Sequence, residues 1–292
     1  MTKIEGLKKE IAMMHDLENL TSMLEQTAAR SIAQMRTNIL SSRAYFREVW
    51  RIYAVLKKLT PPSPEVVHKH LVVGIGIDWG MPGGLLNKVM DKVKEEQILH
   101  EADLLIAGKM SHSLFRGRDD HTIHLFSSPK HATLADIRPI YQVVAGYAKV
   151  TIVYPSFESL SRQNILTASF SIGSPDAAKP EVSGEGKEEH DEIDPSRFVI
   201  DPNPQALANY LNEAIVGLTV HHYFSESMLA YSAAQMVAMR NSHDNAKQEG
   251  KQLFIRYNRA RREDIDVKLR ELYSSRVGHS AKSKGTPVND AA

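Results

Sequence analysis

Apolar side chains fall at Ile4, Leu7, Ile11, Met14, Leu17, Leu20, Leu24, Ala28, Ile32, Met35 and Ile39, then resume at Phe46, Val49, Tyr53 and Leu56. Steps of three and four dominate, the period of one stripe along an α-helix. Gly6 is the only glycine in the first sixty residues and no proline interrupts them, until Thr60-Pro61-Pro62-Ser63-Pro64 ends the hydrogen-bond ladder. The pattern predicts one helix over 1–60, roughly 85 Å long at about 1.5 Å per residue. A helix of that length exposes its stripe unless a second helix lies along it.

The second stripe begins after Asn203-Pro204, a good start signal because Asn accepts backbone N–H bonds at a cap and Pro suits the first turn. Leu207, Leu211, Ala214, Leu218, His222, Leu229, Ser232, Met236, Met239, His243, Ala246, Gly250, Leu253, Tyr257 and Ala260 again step by three or four. Their small members allow close approach of two axes, and Met236 and Met239 fall on the expected seam. This predicts a helix over 204–275, roughly 110 Å long, antiparallel to the first if a compact domain joins their near ends. Its far end, near Arg259–Tyr273, then projects beyond the partner. Residues 276–292 are polar, with Gly285 and Pro287, and are expected to be disordered.

Residues 66–200 carry a different pattern. Leu71–Asp78, Ala102–Ala107, Thr122–Phe126, Val150–Tyr154 and Ile165–Ile172 read as strands, with helices at Leu85–His100 and Thr133–Lys149. Phe198–Ile200 adds an edge strand. Such alternation predicts a largely parallel sheet covered by helices. The fold class is therefore α/β: a long antiparallel coiled coil of the N- and C-terminal helices with an inserted Rossmann-like α/β domain.

Charge narrows the function. The 292 residues hold 36 Lys and Arg against 35 Asp and Glu, for a net +1, which argues against nucleic acid as the main partner. The balance is uneven along the chain. Residues 1–59 hold ten basic and six acidic side chains, residues 250–292 ten and five, and residues 174–196 two and eight. The acidic segment, with Pro175, Pro180, Gly184 and Gly186, reads as a solvated loop. Cysteine is absent, which excludes disulfides, zinc ribbons and thiol nucleophiles. No apolar run reaches the ~18 residues of a membrane span, and Met1–Glu10 is charged where a signal peptide would be apolar.

Candidate chemistry is sparse. Gly74-Ile-Gly76-Ile-Asp-Trp-Gly80 has the wrong spacing for a dinucleotide turn, and its first glycines fall inside the strand. Gly83-Gly84 before a helix could shape an anion site, or could simply fit strand to helix. The pairs His68/His70, His121/His124 and His221/His222 lack carboxylates at ligand spacing, and neighbours on a helix point about 100° apart. No phosphate loop, H-E-x-x-H or G-x-S-x-G occurs. We expect no catalytic residues, no cofactor and no metal.

Three motifs go beyond this pattern. Tyr231–Ala246, YSAAQMVAMRNSHDNA, resembles the late E-x-x-x-R-M-x-A-M-x-N-A-x-x-N-A block of the γ subunit of F-type ATP synthases, with matches at Met236, Ala238, Met239, Asn241, Asn245 and Ala246. Asp78-Trp-Gly80-Met-Pro-Gly83-Gly84-Leu85 resembles that family's D-R-G-L-C-G-G-L turn, and Asp201-Pro202-Asn203-Pro204 its E-P-D-P. Thr21, Ala28, Ala29 and Ser42-Arg43-Ala-Tyr45 are weaker matches. The departures are Tyr231 and Gln235 for Glu and Arg, Trp79 and Pro82 for Arg and Cys, and Asn19, Ser22 and Ser31 where the family usually has Lys. They suggest a divergent branch, such as the alternate or N-type F-type ATPases.

The resemblance implies a non-catalytic central rotor shaft that couples ion flow to ATP synthesis or hydrolysis. Its partners would be the α and β subunits of the catalytic ring (3:3:1), the ε subunit and the membrane c-ring. It implies a peripheral place on the cytoplasmic face of the inner (plasma) membrane in a bacterium. The motif residues above and Arg259, on the charged projecting end, are its rotor-contact candidates. A coiled-coil scaffold unrelated to ATP synthesis would share the helices; a nucleotide-binding enzyme would need saturable ligand binding by the isolated chain.

Overall fold

The computed structural model describes residues 3–59, 67–115, 122–128, 133–171 and 204–283. The first stripe forms α1 (Lys3–Leu59). The middle of the chain gives β1 (Val67–Ile75), α2 (Leu85–His100), β2 (Asp103–Ala107), the short α3 (Lys109–His112), β3 (Ile123–Phe126), α4 (Leu134–Val144), β4 (Tyr147–Phe157) and β5 (Gln163–Ser171). The second stripe forms α5 (Pro204–Ser283).

The five strands make one sheet in the order β3-β2-β1-β4-β5. The first four are parallel, with Val73 opposite Leu105 on one side and Ile152 on the other. β5 folds back antiparallel on β4. Side chains alternate between the two faces of the sheet, so each face has its own core. Leu71, Val73 and Ile75 pack with Ile137, Ile140 and Val144 of α4 and with Ile215, Val220 and Phe224 of α5. Val72, Leu104, Ile106 and Val153 pack against Leu86, Val89, Met90 and Val93 of α2, and against Tyr231 and Ala234 of α5. α4 starts at Thr133, whose hydroxyl accepts the Asp136 N–H, a good N-cap.

Several boundaries differ from the sequence expectation. The helix expected over Thr133–Lys149 stops at Val144, and β4 starts at Tyr147 after the Ala145-Gly146 turn. Tyr147 joins the sheet opposite Val67 of β1, and its hydroxyl donates to Asp103 Oδ2 at 3.1 Å. β1 starts at Val67 and ends at Ile75, so Gly76 to Asp78 leave the strand. α5 runs past Ser275 to Ser283, making the first part of the expected disordered tail helical. No proline intervenes before Pro287, and each added residue of a formed helix gains one bond without a new nucleation cost. The acidic loop 174–196, the expected strand Phe198–Ile200 and residues 284–292 lie outside the described residues.

The chain divides into two compact units: Leu24–Met239, which contains the sheet, and Met1–Met23 with Arg240–Ala292, whose described residues are helical. Within the sheet unit, Ile32 of α1 packs with Leu229, Ala233 and Met236 of α5. Within the helical unit, a side chain begun at Gly250 would lie 3.6 Å from Met14 Cβ, and His243 Nδ1 lies 3.2 Å from the Glu18 carbonyl oxygen. Partner numbers rise on one helix as they fall on the other, so the helices run antiparallel.

Candidate functional site

The D-x-G-x-x-G-G-L segment forms the loop between β1 and α2, at the C-terminal edge of the parallel strands. Asp78 Oδ1 accepts two backbone N–H groups, from Lys109 at 2.6 Å and Ser128 at 2.9 Å. One carboxylate thus ties together the segments that follow β1, β2 and β3. The Gly76 N–H donates to Ala107 O at 2.7 Å and the Gly108 N–H to Phe126 O at 2.8 Å, continuing the stitching. Gly108 has φ +112°, and a Cβ there would sit 2.5 Å from Ile77 N. Only glycine fits that crossing.

Helix α5 covers this loop. Gly80, at φ +92°, abuts the Gln235 side chain, and Gly83, at φ +61°, faces Ala238. Met236 is half-buried against Ile32, Leu229 and Ala233, and Met239 is buried. The loop motif and the first half of the late block are therefore one structure. Leu85 is buried at the start of α2, where Gly84 supplies the N-cap without a side-chain bond. Gly74 is explained by packing, since a Cβ there would lie 2.8 Å from Val93.

The remaining candidates separate. Asn241, Asn245 and Arg259 are exposed and Ala246 is buried in the helical unit. Asp201 and Pro202 lie outside the described residues. Among the described residues, no three His, Asp or Glu side chains converge to hold a metal. His70 bonds the Thr151 hydroxyl at 2.7 Å, and His124 the Tyr147 hydroxyl at 3.3 Å.

Two residues of this junction were not legible as contacts. Tyr231, a departure from the family pattern, is buried and donates its hydroxyl to Ile75 O at 2.7 Å, and burial pushes its phenol pKa up. Buried Glu226 accepts the Ser156 hydroxyl and the Phe157 N–H, both at 3.1 Å. The available signal was Glu226 itself: from Pro204 to Met239 the helix has no Lys or Arg and only Glu213 as another acid. A charge in so apolar a stretch needs a buried partner.

The helical unit has a narrower seam. Thr21, Ala246 and Ala260 are its buried side chains among the described residues. Thr21 returns its hydroxyl to Leu17 O at 2.7 Å, leaving its surface apolar. From Arg261 to Arg276 the side chains are exposed, apart from half-buried Asp264.

Comparison with known proteins places this arrangement. The family model described as ATP synthase matches residues 3–276. An ATP synthase gamma chain of Dehalococcoides mccartyi is 25% identical over 290 residues, covering 93% of this chain and 97% of that protein. The ATP synthase gamma chain of Bdellovibrio bacteriovorus is 26% identical over 297 residues, covering 94% and 98%. The fold is similar to a chain in the mitochondrial ATP synthase of Euglena gracilis, solved with OSCP, F1 and the c-ring, with TM-score 0.64 and 17% identity over 99% of this chain and 98% of that one.

Proposed function

This chain belongs to the gamma-chain family of ATP synthases, the non-catalytic central stalk of the rotary enzyme, and we propose that it turns within a ring of three α and three β subunits. The observation that carries the proposal is the contrast along α5. From Ile215 to Met239 it is enclosed by a folded sheet unit, whereas its second half presents Phe254, Ile255, Leu272 and Tyr273 at more than half exposure amid many charges. A helix pair with that surface needs a surrounding sleeve.

The shaft has transmission as its task. An off-axis pair of helices presents a different face to each of three chemically identical neighbours. Each face favours a different state of the adjoining nucleotide site, so rotation shifts three equilibria in turn. The surplus of basic side chains in 250–292 suits acidic stator loops through long-range attraction. The sheet unit, with the Asp78–Leu85 loop, serves as the foot, engaged by an ε subunit and a membrane c-ring that ion flow turns.

No described helix is long and apolar enough to cross a membrane. As a gamma chain it attaches through those partners, which in a bacterium places it on the cytoplasmic face of the inner (plasma) membrane. Trp79, Pro82, Tyr231 and Gln235 support placing it in a divergent branch of the family. Native mass spectrometry of the complex purified through a tag on this chain tests the proposal. One copy with three α and three β subunits is expected; a free chain, under conditions that preserve the ring, would contradict it.

A further inference from the structure

Six consecutive residues of α5, from Glu226 to Tyr231, are buried, so the helix is enclosed on every side beside the ends of the neighbouring strands β1 and β4. Two polar side chains in this stretch reach those ends. Glu226 Oε1 holds Ser156 Oγ and Phe157 N at the end of β4, and Tyr231 Oη donates to Ile75 O, the last residue of β1. The other surfaces here come from Met228, Leu229, Ala230, Ala233 and Ala234.

Val220, Tyr223 and Phe224, just before this stretch, interlock with the sheet core and also oppose rotation. From Glu226 to Ala234 the apolar neighbours are alanines and flexible side chains whose contact is non-directional, so the directional bonds set the angle of the helix here. Hydrogen bonds weaken steeply as their angle departs from linear. A helix turned about its axis by one residue, about 100°, breaks all three bonds. Breaking them would leave a buried carboxylate and a buried phenol without these partners.

We propose that Glu226 and Tyr231 are the torque-bearing pins of this protein: they fix the rotational setting of α5 against the sheet, so that the helix turns with the sheet under load. The inference rests on the rotor reading above. It predicts a defect that grows with torque, whereas a residue that merely stabilises the fold affects yield and melting at any load.

The test uses the intact complex in sealed proteoliposomes energised with ATP, with a voltage-sensitive dye reporting the membrane potential. Each preparation is normalised to its content of assembled complex. Tyr231→Phe keeps the ring packing and removes one pin; Glu226→Leu removes the other; Glu226→Gln keeps an acceptor oxygen in place. The combined Tyr231→Phe and Glu226→Leu complex should reach at most half the parental limiting potential, while Glu226→Gln stays close to parental. An unchanged limiting potential in the combined variant would overturn the proposal. If Glu226→Leu prevents assembly, Tyr231→Phe alone decides: a lowered limit supports the pins and an unchanged limit overturns them. A parental complex that lacks the ring or builds no potential would remove the rotor reading, and the pins with it.

Discussion

The sheet unit and the helical unit draw on the same two helices yet bury apolar surface to very different extents. In the sheet unit, Phe224, Leu71, Ile106 and Ile152 are among many large side chains with essentially no exposure. In the helical unit the buried side chains among the described residues are Thr21, Ala246 and Ala260, while Met23 is 66% and Tyr273 70% exposed. Two helices side by side offer each other one stripe only. Small residues narrow the seam and bring the axes together, but leave the outward side chains uncovered. The contrast indicates that the sheet unit carries its own core, whereas the helical unit is completed by its surroundings.

The most forceful way to sharpen this contrast is a matched pair of truncations. Phe224→Ala should cost about 3–5 kcal/mol in denaturant unfolding of the sheet unit, the usual result for emptying a core aromatic. Phe254→Ala, at 55% exposure, should change the isolated chain by no more than about 0.5 kcal/mol. Equal losses would break the comparison. Next comes the backbone crossing: Gly108→Ala should cost about 1–3 kcal/mol, since both φ and the Ile77 contact oppose a side chain. A thermal midpoint unchanged by Gly108→Ala would show that the crossing can relax.

A third variant addresses the sheet unit's own helix–helix contact. Met236→Asp places a carboxylate against Ile32, Leu229 and Ala233 and should cost about 1–3 kcal/mol, seen as lost helicity on heating. Unchanged helicity and melting would refute that placement.

The smallest expected effect is one of pH. The His70 imidazole is held down to about 4 by burial first, then by His100 and Lys149, against the opposite pull of Glu96. Thr151 from β4 completes its surroundings with a hydrogen bond. The unfolded chain takes up this proton near 6.5 and the folded chain only near 4, so unfolding binds a proton between those values. The sheet unit should therefore lose stability as pH falls from about 6.5 towards 4, with no contribution from this ring above that window. Solvent screening of a partly exposed ring limits the effect to on the order of 1 kcal/mol. Thermal midpoints of parental and His70→Gln chains across this range check it; parallel profiles would contradict the assignment.

Much of this architecture was legible because it follows from period. Steps of three and four marked α1 and α5, and Leu85–His100 marked α2 at its observed limits. The boundary of β4 was not legible, because Tyr147 pairs with distant Val67 of β1 and bonds Asp103, 44 positions away. α3 has no signature in the sequence, because a four-residue helix has no periodic pattern to display. The meeting of the loop and the late block could be read as two family motifs but not as a contact, since nothing local tells Gly80 that Gln235 will cover it. Tyr231 and Glu226 show the same limit: their types can be read, but their partners depend on where β1 and β4 end.

The most direct test of the shaft itself is to watch it turn. The chain has no cysteine, so a cysteine introduced at exposed Lys88 of α2 is the single thiol on this chain and can carry a gold particle or bead. With the catalytic ring fixed to a surface and ATP supplied, the label should rotate in one direction in three-fold steps. A label that stays still while the same ring hydrolyses ATP would contradict the account.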